Sequence, residues 1–452
     1  MSLSRLTGWG RTAPSVAEVT VDVDPRSLRA VLGEADARGV LARGLGRSYG
    51  DAAQNGGGRV VCVAEHTVDV DAVSGVVRAG AGVSFDELIS ALLPHGLFVP
   101  VSPGTRRITV GGAIAADIHG KNHHADGSWG AHVVDLEMML ASGEIRTVSP
   151  LADPELFWAT IGGMGLTGVV LSCRFRALRV ETSRVLVDTW RTNDLDGTMS
   201  LMAERDADYR YTVAWIDSLA AGGRLGRGVV TMADHAPASA VPDASPLGFS
   251  DRARIGVPPL VPSGLLNGLT VRAFNELWYR KSPVRRTAEV QGIGEFFHPL
   301  DMIRDWNRLY GRQGMLQYQF VVPLGAEGTL RAAIEGLARG GAASFLTVLK
   351  RFGSANDGYL SFPFPGWTLT LDVPTGVSGL SALLDGLDRT LVEVGGRVYL
   401  AKDSRLSPDH LAAMYPRLEQ WRAVCERVDP DHRFQSDLSR RLGMRTRSAA
   451  AT

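Results

Sequence analysis

Hydrophobic and polar positions over residues 17–180 alternate on a short scale, as they do in short strands and helices separated by glycine-rich turns. The runs GVLARGLG and RVVCVAE are typical of buried strands. A strand in SGVVRAGAG leads into a helix with a capping box, Ser84 and Glu87, and Gly96 ends that helix. The later segment VVDLEMMLASGEIRTVS predicts two strands joined by a tight turn at Ser142–Gly143. In the helix with the capping box, the apolar face consists of Phe85, Leu88, Ile89 and Leu92.

From about residue 182 the hydrophobic pattern lengthens. The runs YRYTVAWID, MLQYQFVVPL, SFLTVLKRFG and WTLTLDVP predict strands, and GTLRAAIEGLARGG predicts a helix between them. This texture favours an antiparallel sheet with helices covering one face. The stretch at about 233–262, with six prolines from Pro237 to Pro262, predicts a mobile loop. After Gly396 short elements return, and Ser407 is expected to cap a final amphipathic helix.

The composition gives no indication of nucleic-acid binding, of a cysteine metal site or of a disulfide framework. The 48 Lys and Arg residues balance 48 Asp and Glu residues, so no basic field indicates nucleic acid. The cluster RRLGMRTR near the C-terminus is interpreted as a solvated, frayed tail. Cys62, Cys173 and Cys425 lack metal-like spacing and are too few for a disulfide framework, which indicates a reducing compartment or indifference to redox.

The sequence carries no pattern for membrane insertion or export. The N-terminal MSLSRLTGWGRTAPS lacks an apolar core, and no run reaches about 18 apolar residues. We therefore expect neither a signal peptide nor a transmembrane segment, and a cytoplasmic location on the sequence alone. Peripheral contact with a membrane through an exposed apolar loop stays open.

Three glycine-rich segments carry the first functional signal. They are ARGLGRSYGDAAQNGGG (42–58), TVGGAIAADIHGKNHH (109–124) and TIGGMGLTGVV (160–170). Consecutive backbone N–H groups without bulky side chains suit a pyrophosphate. The spacing is not that of a dinucleotide fingerprint, and any one such loop is more often an ordinary turn. Three of them in one α/β region favour a phosphate-bearing cofactor.

The histidines of the second segment allow a metal interpretation that we reject. His123 and His124 are adjacent, and no carboxylate or cysteine completes a set of zinc ligands with His119. We expect His123 and His124 to hydrogen-bond loop backbone, and we expect no metal site.

Several ordered motifs resemble the vanillyl-alcohol-oxidase superfamily of flavoproteins. They are RGLGRSYGD, PGTRRITVGGAIAADIHGKNHH, GGMGLTG and AKDSR, supported by LTGWGRTAPSVA, NELWYRKS, FHPLD, QYQF and MYPR. The resemblance implies an α+β fold in which an FAD-binding domain of the PCMH type is made from residues 1–181 and 397–452. It implies a substrate-binding domain inserted at 182–396, which agrees with the change of pattern near 182.

The resemblance also implies the residues that bind FAD. Members that bond FAD covalently often place histidine in the first glycine loop, where this chain has Tyr49, so we expect dissociable FAD. Gly111, Gly112, Ala113 and Ala115 are expected to let the backbone lie flush against the cofactor. The expected cofactor-binding residues are Arg43, Gly44, Leu45, Gly46, Arg47, Ser48, Tyr49, Gly104, Thr105, Thr109, Gly111, Gly112, Ala113, Ala116, His119, Asn122, Gly127, Gly168, Val169 and Tyr399.

The catalytic residues implied by the resemblance are His119, beside the flavin and the substrate hydroxyl, and Lys402 in YLAKDSR. Oxidation of an alcohol moves a hydride to the flavin and a proton to a base. Lys402 is expected either to stabilise negative charge on reduced flavin or to act as that base, and the sequence does not separate these roles.

Further residues are expected to contact the substrate. Gln317 and Gln319 alternate by two, so they share one strand face and suit sugar hydroxyls, and Lys350 suits a phosphate. Thr370 stands where the family has a pocket cysteine, which predicts no covalent trapping by nitroaromatic inhibitors and unimpaired activity. Thr368 replaces a family asparagine and Phe297 a tyrosine. The expected substrate-binding residues are Trp215, Phe297, Gln317, Gln319, Lys350, Thr368, Thr370 and Lys402.

The reaction implied by the nearest branch of the family is oxidation of the 2′-hydroxyl of polyprenylphosphoryl-β-D-ribose to a 2′-keto sugar. This is the first half of a 2′-epimerisation towards the arabinose donor of cell-wall arabinan. The expected partners are the lipid-linked sugar, a separate NAD(P)H-dependent keto-reductase and a quinone-like electron acceptor, and the expected place is the cell envelope or periplasm. The alternatives are a flavin oxidase of another sugar, lactone or natural-product alcohol, and a flavin-binding subunit without catalysis.

Overall fold

The computed structural model describes residues 2–241, 245–249, 255–259, 261–262 and 264–445. The strands are β1 (Ser2–Leu6), β2 (Ser15–Val23), β3 (Val40–Ala42), β4 (Arg59–Val63), β5 (Val68–Asp71), β6 (Val76–Gly80), β7 (Leu97–Phe98), β8 (Val133–Met139), β9 (Ile145–Val148), β10 (Val169–Arg176), β11 (Leu178–Arg179), β12 (Arg184–Thr192), β13 (Tyr211–Ile216), β14 (Gly228–His235), β15 (Ile255–Gly256), β16 (Arg285–Gly292), β17 (Ile303–Arg304), β18 (Met315–Pro323), β19 (Thr347–Phe352), β20 (Gly366–Pro374) and β21 (Arg397–Val398). The helices are α1 (Pro25–Gly33), α2 (Phe85–Leu92), α3 (Val110–Ala115), α4 (His123–Asp126), α5 (Pro154–Thr160), α6 (Leu195–Arg205), α7 (Gly268–Lys281), α8 (Ile293–Phe297), α9 (Glu327–Arg339), α10 (Leu380–Glu393), α11 (Pro408–Met414), α12 (Leu418–Val428) and α13 (Asp437–Arg441).

The strands form a mixed α/β architecture with several sheets. The first sheet has the order β1-β2-β4-β3, in which β2 and β3 run parallel to β4. The second, β5-β6-β10-β8-β9, is antiparallel. The third has eight antiparallel strands in the order β16-β12-β14-β13-β19-β20-β18-β21. The predicted antiparallel sheet is therefore confirmed, since the four quoted alternating runs supply β13, β18, β19 and β20.

Local signals in the first part of the chain are confirmed in detail. Ser84 and Glu87 form the capping box of α2, and Gly96 adopts a left-handed conformation with φ of 66° just after the short turn that follows this helix. Gly143, with φ of 83°, makes the tight turn between β8 and β9. Each of these positions needs a particular side-chain acceptor or a positive φ, which explains why local sequence predicts them.

The core brings the two ends of the chain together. One apolar cluster is continuous through the second and third sheets, and a smaller one joins the first sheet to strands β8 and β10 of the second. Phe434, near the C-terminus, is fully buried in the smaller cluster, and its backbone forms a parallel bridge to Val40. Residues almost 400 positions apart thus share one core.

Two predictions in the later part of the chain are corrected. The proline-rich loop does not begin at 233, because β14 continues through His235. Residues 255 and 256 form β15, which pairs with β17, while 242–244, 250–254, 260 and 263 lie outside the described residues. Ser407 does cap α11, but that helix is not the final one, since α12 and α13 follow it.

The basic C-terminal segment was interpreted as a frayed tail, and this is wrong for its residues up to 445. Residues 446–452 lie outside the described residues. Arg441 pairs with Asp51 and Asp403, both at 2.8 Å, and the Asp403 side chain is only 2% exposed. Arg445 is buried against the fully buried Asp429 at 3.0 Å. The interpretation failed because these guanidiniums find partners that are distant in sequence.

We predict that Arg441→Ala destabilises the fold by about 3 kcal/mol, because it leaves two largely buried carboxylates without their shared cation. Chemical denaturation followed by circular dichroism measures this free energy of unfolding. The matched control is Arg331→Ala, which removes an exposed pair with Asp196 and should cost about 1 kcal/mol or less. Equal losses in the two variants would contradict the structural role of Arg441.

Among the described residues, no helix combines the length and apolarity that crossing a membrane requires.

Candidate active site

A cavity of about 670 Å³ lies where the glycine-rich segments meet the third sheet. Its walls come from residues 42–53, 102–121 and 164–170, from β13, β18, β19 and β20, and from residues 399–402. Its volume is in the range of about 300–1,000 Å³ that small-molecule and cofactor sites occupy.

The cavity collects most of the residues that the sequence analysis selected. Arg47, from the first glycine loop, places its guanidinium carbon 4.1 Å from the centre of the Trp9 ring, which also lines the wall. The predicted residues on the wall are Arg43, Gly44, Leu45, Gly46, Arg47, Ser48, Tyr49, Gly104, Thr105, Thr109, Gly111, Gly112, Ala115, Ala116, His119, Gly168, Phe297, Gln317, Gln319, Lys350, Thr370, Tyr399 and Lys402.

Six predicted residues are not on the wall of the cavity: Ala113, Asn122, Gly127, Val169, Trp215 and Thr368. Ala113 and Val169 are fully buried in the apolar clusters. Asn122 is buried and donates to the carbonyl of Pro100 and to Asp126. Gly127, with φ of 74°, ends α4.

Trp215 and Thr368 are occupied by contacts within the third sheet. The Trp215 indole Nε1 donates to the carbonyl of Phe345 at 3.0 Å. The Thr368 hydroxyl donates to the carbonyl of Phe320 at 2.8 Å and is fully buried. Their assignment to substrate contact stays a prediction without support from the wall of the cavity.

The first glycine loop presents a row of free backbone donors. Its ends are fixed because Arg43 N donates to Val61 and Tyr49 N donates to Ala401. The Arg43 guanidinium closes the loop from behind by donating to the carbonyl oxygens of Thr7, at 3.0 Å, and Ala53. The backbone N–H groups of 44–48 donate to no acceptor in the described residues, and all five of these residues line the cavity. Consecutive free N–H groups of this kind suit a phosphate group.

The small residues of the second glycine segment pack against protein more than expected. Thr109 caps α3 by accepting from Gly112 N at 3.1 Å. A Cβ on Gly111 would meet the Cβ of Ala81 at 3.1 Å, and one on Gly44 would meet the Thr109 hydroxyl at 2.2 Å. The Ala113 side chain is buried in the core, and the expected contact of its backbone with the cofactor stays a prediction. By contrast, a Cβ on Gly104 or Gly165, both on the wall, would meet no atom.

His119 is buried at the wall, and a hydrogen-bond chain indicates which tautomer its neutral ring adopts. The Thr368 hydroxyl donates its proton to a backbone carbonyl, so it must accept a hydrogen bond from the Gln319 side chain, at 3.3 Å. The atom that donates is therefore the Gln319 amide nitrogen, and the same nitrogen donates to His119 Nε2 at 2.9 Å. This orientation leaves the proton of the neutral imidazole on Nδ1. Burial lowers the pKa of His119 well below its usual value, with Lys350 and Lys402 adding repulsion. No acceptor for Nδ1 exists within the described chain.

The two histidines that follow behave as expected. Gly353 N donates to His123 Nδ1 at 3.2 Å, and His124 Nε2 lies 2.9 Å from the carbonyl of Tyr209. Both interactions are with backbone. In the part of the chain that the structure describes, no three histidine, cysteine, aspartate or glutamate side chains are grouped closely enough to hold a metal.

Three lysines line the cavity: Lys121, Lys350 and Lys402. Burial lowers the pKa of Lys121 and of Lys402 to about 7, and that of Lys350 to about 8. Lys402 Nζ lies 4.0 Å from the centre of the Tyr49 ring, and Lys121 Nζ donates to the carbonyl of Phe296. Lys121 was not predicted from the sequence, although its position between His119 and the other histidines was a signal.

Asp372 is a second residue that sequence reasoning missed. It lies directly opposite Gln317 in the register of β20 and β18, and its Oδ1 accepts from the Gln317 amide at 2.5 Å. Its Oδ2 is buried and has no hydrogen-bond partner among the described residues. Burial raises the pKa of Asp372 to about 7, while Lys402 opposes that rise. Asp372 follows Thr370 by two positions, so a shared strand face was the available signal.

The lysine and carboxylate titrate as neighbours. Burial favours the neutral form of each, and the positive charge of Lys402 and the negative charge of Asp372 each favour the charged form of the other. Lys350 adds repulsion that lowers the pKa of Lys402. The site therefore holds an amine that changes charge close to neutral pH.

Comparisons with known proteins agree with this geometry. The family model of the FAD binding domain matches residues 23–149, and that of D-arabinono-1,4-lactone oxidase matches residues 376–442. The protein is an FAD-dependent oxidoreductase that acts on a CH–OH group. It is 46% identical, over 97% of both chains, to the decaprenylphosphoryl-β-D-ribose oxidase of Mycolicibacterium smegmatis. The chain belongs to the decaprenylphosphoryl-β-D-ribose oxidase family.

More distant relatives place the likeness in a wider group. An uncharacterized protein in the mprA 5′ region of Streptomyces coelicolor is 40% identical over 80% of this chain and 100% of its own length. Cytokinin dehydrogenase 8 of Oryza sativa is 29% identical over 33% of this chain and 29% of its own. The second match is confined to part of the chain, so it carries no statement about substrate.

The residues present fit FAD as the cofactor. The free N–H groups of 44–48 suit its pyrophosphate, and the open sides of Gly104 and Gly165 leave backbone accessible in the cavity. FAD supplies the acceptor for a hydride from the carbon that bears the hydroxyl group. The chain must then supply the orientation of the alcohol and an acceptor for its proton.

Proposed function

We propose that the protein oxidises the 2′-hydroxyl of polyprenylphosphoryl-β-D-ribose to the 2′-keto sugar with non-covalently bound FAD. The observation that carries this proposal is one cavity that joins a phosphate-binding loop to an imidazole, three lysines and two amides. The name of the Mycolicibacterium relative, which covers nearly the whole chain, supports the lipid-linked ribose as substrate. Tyr49, in place of a histidine, supports the non-covalent link.

Positive charge in the cavity supports a phosphorylated substrate. Lys121 and Lys350 make no ion pair with a carboxylate within the described chain, so their charges are available to a ligand. Gln317 and Gln319 line the same wall on one face of β18. In the proposal, the lysines hold the phosphodiester and the amides contact the hydroxyl groups of the ribose.

The proton of the alcohol goes to Lys402 in the proposed reaction. His119 carries its proton on Nδ1 and has Nε2 engaged by Gln319, so it acts as a hydrogen-bond donor rather than as the base. The pKa of about 7 makes the Lys402 amine available as an acceptor at neutral pH. Once protonated, the ammonium favours negative charge on the reduced cofactor.

The domain division follows from the same proposal. We assign residues 1–181 and the C-terminal part to the FAD-binding domain and the eight-stranded sheet to the inserted substrate domain. The shared core of Val40 and Phe434 supports the union of the two chain ends. Because β21 (Arg397–Val398) is still part of the eight-stranded sheet, we place the second boundary after Val398 instead of after residue 396.

The proposed product requires other proteins. A 2′-keto sugar becomes an epimer only after reduction from the opposite face, so we propose a separate NAD(P)H-dependent reductase. Reduced FAD must be reoxidised, and a quinone-like compound is the proposed acceptor. Both assignments, and a place at the cell envelope, derive from the family resemblance alone.

The test is anaerobic mixing of the purified yellow protein with polyprenylphosphoryl-β-D-ribose while flavin absorbance is followed. We expect the flavin band to bleach, and acid precipitation of a separate sample should release the flavin into the supernatant. A free ribose 5-phosphate should bleach the band far more slowly. Equal bleaching by both sugars, or none by the lipid-linked one, would contradict the proposed substrate.

A lactone oxidase is the second candidate, favoured by the match of residues 376–442 to the D-arabinono-1,4-lactone oxidase model. This match covers only a C-terminal part of the chain. Rapid bleaching by D-arabinono-1,4-lactone, in the absence of a lipid-linked substrate, would establish this candidate instead.

A further inference from the structure

Helix α7 and the residues beside it expose a dense group of large apolar side chains. Elsewhere in the described residues, exposed large apolar side chains are spread more thinly along the chain, for example Val73 and Leu151. The exposed group, which we call the α7 face, consists of Leu265, Leu269, Phe274, Leu277, Trp278 and Val284.

The α7 face is rigidly held by the opposite side of the helix. Val271 and Asn275 are buried, and the Asn275 amide donates to Asp217 at 2.8 Å. Glu276 accepts from Arg227 at 2.6 Å. Since the inner side is fixed by these polar contacts, the apolar residues on the outer side, led by Leu269 at 79% exposed, remain turned towards solvent.

The segment around the α7 face has a net positive charge. Residues 264–290 contain five basic side chains and two acidic ones, although the whole chain is neutral. Glu276 pairs with Arg227 and with Arg280 of the segment, and Glu289 pairs with Arg286, so the segment keeps a net positive charge. Lys281 lies 6.0 Å from the centre of the Trp278 ring. The basic side chains of this segment are Arg272, Arg280, Lys281, Arg285 and Arg286.

Aromatic side chains connect the α7 face to the wall of the cavity. The rings of Phe274 and Phe345 meet edge to face at 5.7 Å, and Phe345 stacks on Tyr310 at 6.1 Å. Tyr310 packs in one cluster with Tyr49 and Trp306, which line the cavity, as does Leu346 beside Phe345. Phe345 and Tyr310 therefore lie between the α7 face and the wall of the cavity.

We propose that the α7 face docks the protein on an anionic lipid bilayer, with its leucines and Trp278 in the headgroup–acyl boundary and its basic residues against lipid phosphates. Leucine, phenylalanine and tryptophan on one side, flanked by lysine and arginine, are what an interfacial helix requires. The further role, delivery of a lipid-linked substrate whose chain stays in the bilayer, rests on the proposed function. Bilayer binding itself is independent of the substrate.

The test is co-sedimentation of the FAD-loaded protein with vesicles, without substrate. We expect binding to vesicles that contain phosphatidylglycerol, weaker binding to pure phosphatidylcholine, and loss of binding at high salt. The double variant Leu269→Ser/Leu277→Ser should bind at least about 10-fold more weakly, because two exposed apolar side chains are removed from the contact. The matched control, Val73→Ser/Leu151→Ser, should bind like the unchanged protein.

Three results would overturn this proposal. They are no vesicle binding by the unchanged protein, equal binding by Leu269→Ser/Leu277→Ser, and a dimer in light scattering that this double variant abolishes, which would make the face a contact between two copies. Flavin bleaching by a short-chain, detergent-free substrate analogue should be the same in the variant and the unchanged protein. That measurement separates a failure of docking from a failure of the proposed reaction.

Discussion

Lys402→Ala should stay yellow and yet be reduced by substrate about 10²–10⁴-fold more slowly than the unchanged protein. FAD should remain bound because its proposed phosphate contacts are backbone N–H groups in residues 44–48, which the substitution does not touch. The loss should fall on the chemical step because Lys402 is the proposed acceptor of the substrate proton, and a positioned base contributes about 10²–10⁴-fold. Stopped-flow absorbance under anaerobic conditions measures the rate of flavin reduction.

Two controls separate the base from other roles of a cavity lysine. Lys350→Ala removes a second cavity lysine and should weaken substrate binding more than it slows the reduction of bound FAD. Ethylamine added to Lys402→Ala should restore part of the rate, and the rescue should grow with pH as more amine is neutral. Unchanged reduction by Lys402→Ala, or loss of its FAD, would refute the assignment.

The fold was predictable from sequence where local chemistry decides it. The capping box at Ser84 and the turn at Gly143 each depend on residues a few positions apart. The strands of the third sheet were visible because alternation of side chains repeats along each strand. The C-terminal tail was not predictable in this way, because Arg441 is held by Asp51, almost 400 residues earlier in the chain.

The candidate site shows the same division. The glycine loops and Lys402 lie in contiguous motifs, so resemblance located them. Asp372 was missed because its importance comes from its register opposite Gln317, a pairing across 55 residues that only the folded sheet defines. For a related reason, a run of small residues does not tell which side chain faces the core, as that of Ala113 does.

The register of β18 and β20 also gives the proposed mechanism its pH dependence. A neutral amine is the active form of a base, so the rate of flavin reduction should rise with pH through about 7, where Lys402 loses its proton. We call this rise of the rate with pH the acid limb. Asp372 is fully buried beside Gln317 and does not line the cavity, so it affects the acid limb without contacting the substrate. It is thus a positioning residue whose negative charge raises the pKa of Lys402.

Asp372→Asn should therefore move the acid limb of the reduction rate to lower pH, by about 1 pH unit. Asparagine keeps an oxygen that accepts from the Gln317 amide but removes the charge, so the pKa of Lys402 falls and the amine is neutral at lower pH. In the unchanged protein, the midpoint of the acid limb is an apparent pKa of the coupled pair Lys402 and Asp372. In the variant, it is the pKa of Lys402 alone. A pH series of single-turnover reductions measures both.

The matched control is Asp301→Asn, which changes another buried carboxylate on the cavity wall. Asp301 accepts from Thr105 and from the backbone N–H of Arg106, and Lys402 does not contribute to its pKa, so the acid limb should stay in place. If the rate instead falls as pH rises, with no acid limb in either protein, and this fall occurs at lower pH in Asp372→Asn, then Lys402 acts as a cation and not as a base. The proton acceptor would then have to be another group, because the His119 imidazole holds its proton on Nδ1.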